Sequence, residues 1–122
     1  MGSSRVSLET QAARTGVAAD VLATIVENLA AHPKVRKIAI YGSRGRGAPR
    51  YWSDIDVAVF APGLTEIERS EVEQRWENAP IVYPTDLAYY DLLANGALRR
   101  AIDRDGITIY ERDSTPSAPT AR

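Results

Sequence analysis

The chain has 122 residues, 44% hydrophobic and 25% charged, which is the composition of a single globular domain. It contains no cysteine, which excludes a disulfide framework, a thiolate zinc site and a catalytic thiol. The net charge of −1 excludes a bulk field that would draw the protein to nucleic acid or to a membrane. No apolar run approaches a membrane span and the N-terminus lacks a signal-peptide core, so we expect a cytoplasmic protein.

The first part of the chain predicts helices followed by two strands. Residues 1–16 form a polar segment, in which a short helix is expected to start at Ser7 and to end at Thr15-Gly16. An amphipathic helix is expected from about Ala18 to Ala31 or His32, because apolar residues recur there with a period of 3.6. Apolar runs then predict strands at 35–41 and 54–60.

The second part predicts two further helices and two further strands. Thr65 and Glu68 form a capping-box pattern at the start of a helix over 66–76. A strand is expected at 85–89, a helix at 92–102 that Asn95-Gly96 could interrupt, and a last strand at 107–110. We expect a main domain at 17–111, followed by a disordered tail at 112–122 that is rich in Pro, Ser and Thr.

The stretch between the first two strands carries the residues with the clearest chemistry. Strand alternation places Asp54 and Asp56 on one face, about 7 Å apart, and turns the apolar residues between and after them to the core. Two such carboxylates repel each other unless a cation lies between them, and hard oxygen ligands suit Mg²⁺ or Mn²⁺. The alternative is a pair of solvated aspartates at the start of a strand.

Gly42-Ser43 directly follows the first strand. Glycine lets the backbone turn and approach a ligand closely, and Ser43 is a candidate N-cap for a short helix whose free N–H groups favour phosphate. Arg44 and Arg46 are candidate phosphate contacts, although Arg46 could instead pair with a carboxylate, and both could belong to a solvated basic loop. A phosphate cradle beside a carboxylate pair indicates metal-assisted chemistry on a nucleoside triphosphate.

A third carboxylate follows later in the chain. If the strand at 85–89 neighbours the strand of Asp56 in register, Asp86 completes a cluster of three acids. Asp91 is the competitor, but it falls where the next helix should begin and could be that helix's N-cap. His32 could be a base or a metal ligand, and its alternative is a cation at the C-terminus of a helix.

These residues carry a resemblance to a known family. Gly42-Ser43, ten intervening residues and Asp54-x-Asp56 resemble the GSx10DxD motif of minimal nucleotidyltransferases, small members of the DNA polymerase β-like superfamily. The strings GSRGRG at 42–47 and SDID at 53–56 are similar to that family's GSRxRG…SDID pattern. The likeness extends more loosely from about Val17 to Tyr110, and it implies an α/β (α+β) fold in which helices pack mainly on one face of a small mixed sheet.

The resemblance also implies a mechanism. Asp54, Asp56 and Asp86 would hold two Mg²⁺ ions, for which Mn²⁺ can substitute, with Asp86 on the catalytic ion. Gly42, Ser43, Arg44 and Arg46 would contact the substrate ATP. One ion would then activate an acceptor hydroxyl for attack on the α-phosphorus, while the other would assist the departure of pyrophosphate.

A chain of this size has no room for polymerase-like fingers and thumb, so we expect no nucleic-acid template, and a partner or a small molecule must bring the acceptor. The motif is similar to that of the MntA-like antitoxins, which implies AMP transfer from ATP to a tyrosine of an all-helical HEPN-type (HepT-like) toxin. Two alternatives are a nucleotidyltransferase for a small hydroxyl compound such as an aminoglycoside and a non-catalytic antitoxin that only binds its partner. A homo- or hetero-oligomer is compatible with each, and no membrane partner is expected.

Overall fold

The computed structural model describes residues 7–42, 55–81 and 84–112. Two helices open the chain, α1 (Leu8–Thr15) and α2 (Ala19–Leu29), and the strands β1 (Lys37–Tyr41) and β2 (Ile55–Phe60) follow. Next come α3 (Glu66–Glu77), β3 (Thr85–Tyr89) and a 3₁₀ turn (Tyr90–Leu92). The chain then forms α4 (Gly96–Asp105) and β4 (Ile107–Glu111).

The four strands form one mixed sheet in the order β3-β2-β1-β4. Strand β1 runs antiparallel to both β2 and β4, whereas β2 and β3 are parallel. The parallel pair is connected through α3, as a parallel pair requires a crossover rather than a hairpin. Strand β3 is consequently an edge strand of the sheet that the described residues form.

The principal core lies on one face of the sheet. Alternate residues of the strands point into it, and α1, α2 and α3 cover them with apolar side chains; its fully buried members include Leu22, Ile25, Leu29, Ile38, Ile40, Val57, Val59 and Ile109. Each such side chain stabilises the fold by about 1.5–3 kcal/mol relative to exposure. Among the described residues, three of the four helices thus pack on one face, which confirms the predicted α+β fold with a small mixed sheet.

The opposite face of the sheet is covered by α4 at its centre. Ala39, Ala58 and Ala88 lie side by side across β1, β2 and β3, and the buried Ile102 of α4 packs in the same cluster as the first two. Small side chains on the strands let a helix approach the sheet closely. This second face is the one that carries Asp56, because strand alternation turns Asp56 and Ala58 to the same side.

The N-termini of α1 and α3 are capped by side chains of the types that favour a helix N-cap. Ser7 accepts a hydrogen bond from the Thr10 N–H at the start of α1. Thr65 and Glu68 form the complete capping box at the start of α3, which confirms that prediction.

The expected helix over 92–102 is wrong at its start. Helix α4 begins at Gly96, because the side chain of Asn95 accepts hydrogen bonds from the N–H groups of Ala97 and Leu98 and so provides the N-cap. The preceding residues Tyr90–Leu92 instead form a 3₁₀ turn. Asp91 is therefore not the N-cap of this helix, and its carboxylate accepts the Ala61 N–H at 2.8 Å.

The packed part of the chain extends one residue beyond the boundary predicted for the tail at 112–122. Arg112 donates its N–H to the Arg36 carbonyl at 2.7 Å and its guanidinium to the carbonyls of Ala30, His32 and Val35 at 3.0, 3.3 and 3.1 Å. These carbonyls follow the C-terminus of α2, where the helix leaves acceptors without intrahelical partners. Across residues 7–42, 55–81 and 84–112, every helix is too short or too polar to cross a membrane.

Candidate active site

Asp56 and Asp86 lie directly opposite each other on neighbouring parallel strands. The register of β2 and β3 pairs Asp56 with Asp86, between the pairs Ile55–Thr85 and Val57–Leu87. Residues that are opposite in a parallel pair project to the same face, and neighbouring strands lie about 4.8 Å apart. Asp56 is half-buried and Asp86 is exposed at the sheet edge. The structure thus brings these two predicted acids together.

Gly42 approaches the first of these acids closely. Its φ of 74° lies in the left-handed region. A Cβ atom at this position would lie 2.5 Å from Oδ2 of Asp56 and 3.4 Å from its Cγ. Only glycine avoids both the strained backbone and the collision with the carboxylate. Gly42 therefore leaves room for the Asp56 carboxylate to pack against the backbone at the end of β1.

Tyr41 completes a row across three strands, and the sequence reasoning missed it. The register places Tyr41 opposite Asp56, which in turn lies opposite Asp86. The ring of Tyr41 is 9% exposed. Burial raises the pKa of the Tyr41 phenol above its ordinary value, and the charges of Asp56 and then Asp86 raise it further. The sequence did contain a signal for this residue, because Tyr41 is an aromatic side chain with a polar hydroxyl at the end of a strand, directly before Gly42.

The remaining predicted site residues lie outside the described part of the chain, namely Ser43, Arg44, Arg46 and Asp54. Within the described ranges, no three Asp, Glu or His side chains are grouped so that they could hold a metal ion. Asp56 and Asp86 are the two acids of the expected cluster that the described residues contain. The third ligand, Asp54, stays a prediction.

The competing candidates lie elsewhere. Asp91 binds the Ala61 N–H beyond the end of β2 that is remote from Asp56, so the sheet separates the two acids by the length of the strand. His32 accepts the Lys34 N–H on Nδ1 at 3.1 Å, and α2 ends before it at Leu29. His32 lines a groove of about 660 Å³ between the end of α2 and α3, which cover the other face of the sheet.

Two carboxylates in register near the sheet edge, beside a glycine that packs against one of them, form a candidate site for metal-dependent chemistry. The family comparison agrees with this geometry. The chain belongs to the polymerase beta nucleotidyltransferase family, whose model matches residues 23–115. The family membership that Gly42-Ser43 and Asp54-x-Asp56 predicted is thereby confirmed. No curated protein matches the chain.

The solved structures that are similar to this chain include toxin–antitoxin complexes. One is a crystal structure of a toxin–antitoxin with AMP-PNP, with 27% identity and a TM-score of 0.60 over 74% of this chain and 73% of that one. Another is a crystal structure of the toxin–antitoxin MntA–HepT, with 24% identity and a TM-score of 0.51 over 75% of this chain and 70% of that one. The second likeness, at its low identity, concerns the fold alone.

Proposed function

We propose that this protein is a divalent-metal-dependent adenylyltransferase that transfers AMP from ATP to a tyrosine of an all-helical HEPN-type toxin and thereby acts as its antitoxin. The observation that carries the proposal is the pairing of Asp56 with Asp86 across β2 and β3, next to Gly42 at positive φ. Membership of the nucleotidyltransferase family supports the reaction class. The similarity to a toxin–antitoxin structure containing AMP-PNP, an ATP analogue, supports the nucleotide and the kind of partner.

The residues of the site fit a divalent ion. Asp56 and Asp86 offer hard carboxylate oxygens on one face, and Asp54 would add a third ligand as predicted from the motif. Placing two carboxylates side by side is unfavourable without a compensating cation. When bound, Mg²⁺ or Mn²⁺ supplies positive charge to the triphosphate and lowers the pKa of a coordinated hydroxyl.

The protein's own residues orient the reactants. Gly42 leaves room for the Asp56 carboxylate against the backbone, and Ser43, Arg44 and Arg46 are the proposed phosphate donors from the adjoining segment. In the transfer, the tyrosine oxygen forms a bond to the α-phosphorus while the bond to the β-phosphate oxygen breaks. Pyrophosphate leaves with that electron pair, and the phenolic proton passes to solvent. Holding both reactants in line accounts for much of such a rate enhancement.

The position of the acids favours an acceptor carried by a protein. Asp86 is exposed and lies on β3, which is an edge strand of the sheet. A tyrosine on the surface of a partner can reach an acid at a sheet edge without entering a closed pocket. The two alternatives are a small-molecule acceptor and a non-catalytic antitoxin that only binds its partner. Each corresponds to a different outcome of the experiment below.

The test compares Asp86→Asn with Asp91→Asn in the presence of the partner protein, ATP and Mg²⁺. Asp91 is the matched control, because it is also an aspartate close to β3 but binds the Ala61 N–H, which asparagine can still accept. Intact mass of the partner should rise by about 329 Da for each AMP with the unaltered protein and with Asp91→Asn. Asp86→Asn should abolish that increase while the complex still forms. A partner whose mass never changes, although the toxin is still neutralised with Asp86→Asn, would leave a contact-only antitoxin.

A further inference from the structure

Tyr41 lies in line with the two acids and on the same face of the sheet. The pairs Tyr41–Asp56 and Asp56–Asp86 form a continuous row across β1, β2 and β3. Along this row exposure increases from the buried Tyr41 through the half-buried Asp56 to the exposed Asp86. Tyr41 is therefore the innermost residue of the site, at the side that α4 covers.

The phenol hydroxyl gives this position a chemistry that packing does not require. The ring of Tyr41 packs in the same cluster as Ala58 and Ile102, where phenylalanine would fill the same volume. A phenol hydroxyl in the row of the two acids can donate a hydrogen bond to an oxygen of a ligand held there.

We propose that Tyr41 is a positioning residue whose hydroxyl donates a hydrogen bond to an oxygen of the metal-bound triphosphate held at Asp56 and Asp86, an inference that rests on the proposed nucleotidyltransferase function. Tyr41 stands beside Asp56 and directly before Gly42, whose backbone lies against the Asp56 carboxylate. Its ring is held by the packing of α4 against β1, so the donor is presented with little loss of side-chain freedom. Tyr41 thus borders the site on the side opposite Asp86.

The experiment measures binding rather than activity. Mn²⁺ and a non-hydrolysable ATP analogue are titrated into the unaltered protein, Tyr41→Phe and Tyr110→Phe, and the Kd is followed by calorimetry and by the electron paramagnetic resonance signal of Mn²⁺. Tyr110 is the matched control, because it is also a buried strand tyrosine, at 7% exposure, but belongs to β4 and the principal core. The ligand-free Tm of each variant reports any effect on the fold.

Tyr41→Phe should weaken binding about five-fold, the loss expected for one hydrogen bond, whereas Tyr110→Phe should leave the Kd unchanged. A merely structural role would lower the ligand-free Tm of Tyr41→Phe without changing the Kd, and that result would overturn the inference. Equal affinities of all three proteins would overturn the inference and leave the proposed function standing, since the unaltered protein would still bind the nucleotide. A complete lack of binding by the unaltered protein would overturn both.

Discussion

Substitution of Gly42 by alanine tests the geometry of the site directly, because a second glycine provides a matched control. Gly42 and Gly63 both have left-handed backbones, with φ of 74° and 80°. A Cβ at Gly42 would lie 2.5 Å from Oδ2 of Asp56, whereas a Cβ at Gly63 would have no atom within 4 Å. The two substitutions therefore share the backbone strain and differ in the collision with the carboxylate.

The expected magnitudes follow from this difference. Left-handed backbone costs a residue with a side chain about 1–2 kcal/mol, so both variants should lose about that much stability. At position 42 the carboxylate oxygen must also move by about 0.9 Å to reach ordinary contact distance. Functional groups need placement within about 0.5 Å, and metal–ligand distances within about 0.2 Å. We expect Gly42→Ala to bind Mn²⁺ with an ATP analogue about 100-fold more weakly.

The assay is thermal unfolding with and without Mn²⁺ and the ATP analogue. At a ligand concentration about 100 times the Kd of the unaltered protein, binding should stabilise it by about 2.7 kcal/mol, against about 0.4 kcal/mol for Gly42→Ala. For a domain of this size these values correspond to shifts in Tm of about 10 °C and about 2 °C. Gly63→Ala should keep the full shift. A full shift in Gly42→Ala would refute the reasoning, because it would mean that the space beside Asp56 is not where the ligand binds.

Two further predictions concern stability. Arg112→Ala should destabilise the fold by about 2–3 kcal/mol, because three carbonyls near the end of α2 lose a charged donor. The exposed Arg100→Ala should change the unfolding free energy from urea titration by less than about 0.5 kcal/mol, and equal losses would contradict the role of Arg112. The hydrogen bonds from Lys34 and from the Thr65 N–H lower the pKa of Glu68 from 4.5 to about 2. Their stabilisation is therefore present above the ordinary pKa and lost as the pH falls towards 2. Tm measured against pH should show Glu68→Gln less stable than the unaltered protein near pH 6, with the difference vanishing near pH 2; a constant difference would count against the ion pair.

Much of the local structure could be predicted from the sequence, because it depends on residues that are close in the chain. The capping box of Thr65 and Glu68 satisfies donors of the same helical turn. The strand at Thr85–Tyr89 was placed correctly because Pro84 cannot donate to a ladder, and Pro84 indeed lies just before the strand. The family also followed from sequence, since the Gly-Ser and Asp-x-Asp residues lie within one short stretch.

The helix predicted at 92–102 shows the limit of a prediction made from the apolar pattern alone. Leu92 and Leu93 continue the apolar pattern of α4, yet Asn95 caps the helix and the preceding residues turn. Leu92 lies in the 3₁₀ turn and is 57% exposed, so an apolar residue at helical spacing did not mark a helix there. Arg112 was assigned to the tail for a similar reason, because its carbonyl acceptors near the end of α2 lie about eighty residues earlier in the chain.

From sequence alone, Asp56 was a candidate ligand, Asp86 and Asp91 were competitors, and Tyr41 was the last residue of an apolar strand. In the tertiary structure, strand register places Asp86 opposite Asp56, and this register depends on how β2 and β3 associate across a helix. A shift of one residue in that register would turn Asp86 to the opposite face and separate it from Asp56. The positions of Gly42 and Tyr41 relative to Asp56 depend on strand pairing in the same way. Their closeness to Asp56 arises from the antiparallel pairing of β1 with β2, and no pattern within either strand specifies the partner residue.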